Sequence, residues 1–154
     1  MDADDNIEES NEENNISSRQ ISYHVQKPDL TIISTSSKLS VTGGESIAVS
    51  CEILNSGDAV ANFSIINYEG LKYYLSEDAV FDSNDTYLGK TNINDFTVGE
   101  SRTITDNISM PIGKTDGNYY ILFYVDPTND VAESNERNNV GAKSLDLFFD
   151  AVSF

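Results

Sequence analysis

Two acidic loops hold most of the residues in this sequence that could do chemistry. The first carries Glu77, Asp78, Asp82, Asn84 and Asp85; the second carries Asp126, Asn129, Asp130 and Glu133. Carboxylate and amide oxygens at such density suit a hard cation, since Ca²⁺ gathers about six to eight oxygen ligands from groups of these kinds. Asp78, Asp82 and Asp85 form one calcium candidate, and Asp126, Asn129, Asp130 and Glu133 the other. Neither has EF-hand spacing, and "DSNDTY" lacks the glycine that such a loop needs at its tight turn. The same residue types are also good turn formers, whose side chains bond nearby amides. That plainer reading takes precedence in both loops.

Other chemistry finds little material. The single histidine, His24, lies near the N-terminus, and the single cysteine is Cys51. Nucleophile–histidine pairs and zinc sites of ordinary type therefore lack their parts. No phosphate-binding glycine loop or dinucleotide fingerprint is present. Carboxylate pairs arise freely among 26 acidic residues and do not by themselves indicate acid–base catalysis. No catalytic or cofactor-binding residue is assigned, no enzyme activity is expected, and no cofactor is required, calcium being the one candidate. Cys51 reads as a small buried apolar residue. Tyr68 and Tyr74, if exposed, could form a sugar- or peptide-binding face, although tyrosines at alternate positions also fill sandwich cores. Sequons occur at Asn15, Asn62, Asn84 and Asn107, as the abundance of Asn, Ser and Thr would produce by chance.

The bulk properties narrow the partners. The 154 residues carry a formal net charge of −17. That charge argues against nucleic acid and against anionic membranes. No apolar run approaches the roughly 18–20 residues that span a bilayer, so no direct membrane insertion is expected. Asp and Asn crowd the positions after Met1, so a signal peptide, if the protein is secreted, would have lain elsewhere. With one cysteine no intrachain disulfide can form.

One polar string occurs twice: "ESNEENN" at Glu9–Asn15 and "ESNERNN" at Glu133–Asn139. Laying Asp2 over Asp126 aligns the surrounding residues without a gap. Apolar positions then match as well, Ile7 with Val131, Ile16 with Val140 and Ile21 with Leu145. A period of about 120 residues is the size of a whole domain. Residues 1–27 thus read as the last loop and strand of a preceding repeat, flexible or docked on a sheet edge. Residues 28–150 read as one complete domain and 151–154 as a tail. Only "HVQKP" separates the two copies, and Pro28 stops the incoming strand from simply continuing, so consecutive domains should join with limited play.

The elements that must position the loops are strands. "SIAVSCEI" alternates strictly, with Ile47, Val49, Cys51 and Ile53 on one side. "TGGE", "NSGD" and "TVGE" mark turns. Phe63 and Ile65, then Leu71, Tyr73 and Leu75, continue the alternation, with Gly70 expected at a bulge or bend. "YYILFYVD" is almost wholly apolar and predicts a central strand covered on both faces. The expected fold is all-β, an immunoglobulin-like antiparallel β-sandwich of about seven strands. Tyr119 falls where such a fold places its tyrosine corner, and Cys51 and Ile121 fall where many carry a cysteine pair.

In order along the chain, "PDLTI", "VTGGES", "NSGDA", "YYLSED", "DTYLG", "FYVD" and above all "VAESNERNN" resemble the bacterial cell-adhesion-related domain, CARDB. The resemblance implies an immunoglobulin-like sandwich repeated in extracellular, secreted or cell-surface proteins, with a non-catalytic structural, adhesive, spacing or display role. Its partners would be neighbouring repeats of the same chain, and a surface protein or glycan. An isolated copy would be a monomer unless strand-swapped. The alternative is a specific binding module for carbohydrate, peptide or protein, using end loops and calcium-stabilised. The family offers no catalytic set, and "NYEGLK" (Asn67–Lys72) departs from it by extra length. Within the signature, Glu133, Ser134, Asn135, Glu136, Asn138 and Asn139 are expected to form a self-bonded structural loop.

Overall fold

Strict alternation gives β3 (Ser46–Asn55), in which Ile47, Val49, Cys51 and Ile53 are all buried. The computed structural model describes residues 17–63 and 70–148. Around β3 lie β1 (Leu30–Ser37) and β6 (Ser101–Ser109), both antiparallel to it, in a three-stranded sheet ordered β1-β3-β6. The second sheet combines β2 (Ser40–Thr42), β4 (Leu71–Ser76), β5 (Thr86–Thr91), β7 (Gly117–Val125) and β8 (Val140–Phe148) in the order β2-β8-β7-β4-β5. The pairings are antiparallel except that β2 runs parallel to β8. The fold is therefore an all-β sandwich of eight strands, and no helix occurs among the described residues.

The inner faces meet in one apolar core. Leu71, Tyr73 and Leu75 of β4 and Tyr119, Ile121, Phe123 and Val125 of β7 face it from one sheet, opposite the β3 residues. Tyr73 and Phe123 pack edge-on at 5.6 Å, and Phe63 and Phe96 do so at 6.4 Å. Each such side chain, once buried, contributes about 1.5–3 kcal/mol. Tyr119 Oη donates to the Thr115 carbonyl at 3.1 Å, closing the corner ahead of β7. Cys51 lies buried as a free thiol, and burial pushes its pKa up to about 12.

The strand β7 is central, with β8 and β4 as neighbours. Leu122 is fully buried although it sits outside the main core, so β7 is covered at that point on its outer face too. The register of β4 against β5 shifts between Tyr73 and Tyr74, across from Gly89 and Tyr87. Gly70 precedes β4, where its carbonyl accepts from Asp126 N at 2.9 Å. Ile65, Tyr68 and most of "NYEGLK" fall outside the described residues, as does the first copy of the signature string.

Candidate functional site

The signature loop begins where β7 ends. Asp126 and Asn129 take positive φ, 47° and 52°, a region that short polar side chains tolerate best after glycine. Asp126 is completely buried, and its two carboxylate oxygens accept from the amides of Asp130 and Val131 at 2.9 Å each. Glu136 then reaches back, its Oε1 accepting from Glu133 N at 2.7 Å. Asn135 Oδ1 accepts from Arg137 N at 3.1 Å. The loop is thus bonded to itself.

It is also bonded to the segment that enters the domain. Glu133 is buried, and one of its carboxylate oxygens accepts from Leu30 N while the other accepts from Asn139 Nδ2 at 2.9 Å. Ser134 N donates to the Pro28 carbonyl at 2.8 Å, and Asn138 Nδ2 to Asp29 Oδ1 at 2.9 Å. The Lys27 ammonium reaches the Glu133 carbonyl at 3.3 Å. These partners stand more than a hundred residues apart, so nothing local in the sequence announces them.

A second loop holds the other side of the same segment. The turn after β3 places Ser56 N on the Asp29 carbonyl at 2.7 Å and Asp58 N on the Lys27 carbonyl at 3.0 Å. Asp58 Oδ1 accepts from Lys27 N at 2.8 Å. Asn55, completely buried, organises that turn: its oxygen accepts from Asp29 N and Gly57 N, and its nitrogen donates to the carbonyls of Ala59, Phe96 and Thr97. Gly57 lies so close that a Cβ there would meet the Lys27 oxygen at 2.4 Å. Sequence reasoning saw a turn at Asn55–Asp58 and missed the buried amide as its hub. The pattern of a strand-terminal Asn before Ser-Gly-Asp was the available signal.

The candidate cation ligands separate into those that meet and those that do not. Asp126, Glu133 and Glu136 each offer a carboxylate oxygen, all within 4.8 Å of one another. Asn129 and Asp130 are exposed, and Asp130 accepts from Thr128 Oγ1 at 2.6 Å. Glu136 was read from sequence only as part of the structural loop. Burial, with help from the Glu136 and Asp126 charges, pushes the Glu133 carboxyl up to about 7, against the opposing bonds from Leu30 N and Asn139. Asn138 Oδ1 and Asn139 Oδ1 are buried without a hydrogen-bond partner. These oxygen donors suit a hard divalent cation. In the other acidic loop the carboxylates serve local turns. Asp78 Oδ1 accepts from Val80 N at 2.7 Å, Asp82 Oδ1 from Asn84 N at 2.6 Å and Asp85 Oδ2 from Asp82 N at 2.8 Å. They line a shallow pocket of about 230 Å³ with Glu77, Lys114 and Tyr119.

Tyr74 does belong to an aromatic cluster. It packs against Phe81 at 4.7 Å and Tyr87 at 5.8 Å, and Phe81 against Tyr124 at 5.0 Å. Phe81 and Tyr87 keep 37% and 52% of their surface exposed, enough for a ring face to meet a ligand. Tyr68 lies outside the described residues. Of the sequons, Asn62, Asn84 and Asn107 are exposed.

Comparison with known proteins agrees with the architecture. A sequence model of the CARDB family matches residues 27–143. No curated protein matches the chain. Among solved structures it is similar to the CARDB domain of the PF1109 protein from Pyrococcus furiosus, described in complex with di-metal ions. Identity there is 21% and TM-score 0.56, over 83% of this chain and 100% of that one. It is similar to residues 272–376 of a putative cell surface protein from Methanosarcina acetivorans, at 18% identity and TM-score 0.53, covering 79% and 93% of the two chains. A β-glucosidase from Erythrobacter marinus contains a like unit, at 12% identity and TM-score 0.51, over 79% of this chain but 16% of the enzyme.

Proposed function

This chain belongs to the CARDB family, and from that premise we propose that it is a non-catalytic domain of a larger extracellular or cell-surface protein, acting as a stiff spacer or display unit. One observation carries the reading: the loop after β7 holds the incoming segment, the buried Glu133 carboxylate accepting from Leu30 N and the Ser134 amide donating to the Pro28 carbonyl. A domain that fixes the chain entering it sets the angle to whatever precedes it. The likeness to part of a cell surface protein supports the setting. Solution scattering on a segment carrying two consecutive copies is the test. One narrow inter-domain spacing is expected, and a broad distribution of spacings would sink the idea.

A second reading, carbohydrate binding, draws on the aromatic cluster. Rings partly exposed on a sheet face can stack on the apolar faces of sugars, and Phe81 and Tyr87 present such surfaces. A glycan array probed with the wild-type protein and with Tyr87→Ala decides it. Hits lost in the variant would support a lectin-like role, and no hits with the wild type would leave the spacer reading alone.

Cation binding is the remaining proposal. The Pyrococcus furiosus relative is described with di-metal ions, and the oxygen-only cluster of this chain favours calcium among common cations.

A further inference from the structure

Resting on the reading of this chain as a stiffly joined spacer unit, we propose that the turn at 55–58, with Val60 and Val98 beside it, is the seat on which the preceding repeat docks, Asp58 clasping His24 at the end of that repeat's last strand.

The argument starts where the two copies meet. The offset that lays Asp2 over Asp126 also lays His24 over Phe148, the last residue of β8. His24 does not trail away from the domain. Its Nε2 lies 2.5 Å from Asp58 Oδ2, an N–H donating to a carboxylate. The other oxygen of Asp58 accepts from Lys27 N, and Asp58 N donates to the Lys27 carbonyl. One aspartate thus holds both the end of the earlier strand and the start of the incoming segment. The three peptide steps from His24 to Lys27 span at most about 11 Å. That is close to the roughly 10 Å that separates two packed sheets. A sandwich whose last strand ends at His24 is therefore brought against the turn.

The surface around the turn suits such a neighbour. Asn55 Nδ2 donates to the carbonyls of Ala59 and Thr97. Each of these is followed by a valine left in solvent, Val60 being 42% and Val98 54% exposed. The opposite pole of the domain shows what a preceding repeat of the same fold would bring. There the Phe148 carbonyl accepts from Gly43 N at 2.8 Å, and Gly44 N donates to the Met110 carbonyl at 3.1 Å. A Cβ on Gly44 would meet Ile112 Cγ2 at 3.3 Å, and Ile112 is 81% exposed. The end of the last strand thus lies near an exposed isoleucine at one pole, and its counterpart His24 lies near two exposed valines at the other. Head-to-tail contact buries these apolar groups. Being heterologous, the contact repeats from each unit to the next. The exposed pair of His24 and Asp58 supplies orientation more than energy.

The experiment has two arms. In the 154-residue chain, backbone NMR relaxation reports the clasp. Residues 23–25 are expected to move less than Arg19 and Gln20. His24→Ala, a change at an exposed side chain outside any strand, should leave the melting temperature as it was and bring residues 23–25 to the mobility of Arg19. Equal mobility in the wild type, or no change in the variant, would overturn the clasp. The second arm applies solution scattering to a segment with two consecutive copies. Val60→Asp and Val98→Asp alter exposed side chains, so each domain should melt as before while the distribution of inter-domain spacings widens. A narrow wild-type distribution that neither variant widens would overturn the seat and leave the spacer reading standing. A broad wild-type distribution would overturn the spacer reading and the seat with it.

Discussion

At the scale of single residues, Glu133 carries the sharpest consequence. Its carboxyl is held near 7 in the fold and titrates near 4.5 when unfolded. Below about pH 4.5 both states are protonated and the group is neutral toward folding; between these values the folded state binds more protons, so stability falls as pH rises and the loss is complete above about pH 7. The full loss is on the order of 3 kcal/mol, at about 1.4 kcal/mol per pH unit. Glu45, Asp58 and Glu100 act the other way. Bonds from Lys38, from His24 and from the Thr97 amide, respectively, hold each below its ordinary value, so their contributions are present at neutral pH and lost under acid. In chelator, chemical denaturation should therefore show greatest stability near pH 5. Glu133→Gln should flatten the decline between pH 5 and 7, and an unchanged decline in that variant would assign it to other groups. Cys51 gives a second test. Its thiol is buried and raised to about 12, so a thiol reagent should label it only on unfolding, and rapid labelling of the native protein would contradict its place in the core. Much at this scale was legible beforehand. Tyr119 and Cys51 were placed by their offset from turns and by alternation. Glu136 as a third carboxylate beside Asp126 was not, because it depends on how the loop folds back on itself, and Asn55 as a hub was signalled only by its place at a strand end before Ser-Gly-Asp, its partners at Asp29, Phe96 and Thr97 being far off in sequence.

Among the elements, the inner face of β3 and that of β4 could be read from period-two alternation, and β7 from its almost wholly apolar run. The register of β4 on β5 could not, because its irregularity at Tyr73 and Tyr74 answers to the partner strand. Nor could the parallel approach of β2 to β8, which follows from β2 crossing to the other sheet after β1. The packing of Phe81 on Tyr74 and Tyr124 likewise is a contact between elements and not a local preference. Two close backbone approaches now make predictions. At Gly57 a methyl group would strike the backbone of Lys27–Asp29, and at Gly141 it would meet Ile32 Cγ2 at 2.5 Å where β8 crosses β1. Replacement of either by alanine should cost about 1–3 kcal/mol of stability in denaturant melts. Gly57→Ala should in addition speed exchange at Leu30; a normal exchange rate there would mean that the turn and the incoming segment move independently.

For the whole molecule, a polar string and its apolar neighbours recur together in the sequence, and that recurrence alone is the ground for expecting a repeat. Described residues 17–27 form no strand, and Ile21 and Tyr23 are 85% and 87% exposed, whereas Leu145 and Leu147 at the matching positions are buried. The same pattern finds a sheet in one place and none in the other. Removing residues 1–26 should accordingly shift the melting temperature by no more than a degree or two, and a drop of several degrees would show that they contribute to the core. The double grip on Lys27–Leu30 has a further effect under tension. Strand β1 lies at the outer margin of its sheet and, pulled from its start, would unzip from β3 one pair at a time. Because Pro28 and Leu30 are tied to the loop between β7 and β8, a pull on the chain ahead of them is shared with the opposite sheet before it reaches β1. Force then arrives as shear across the sandwich, which must break several bonds at once, and the domain resists stretching more than its edge strand alone would allow.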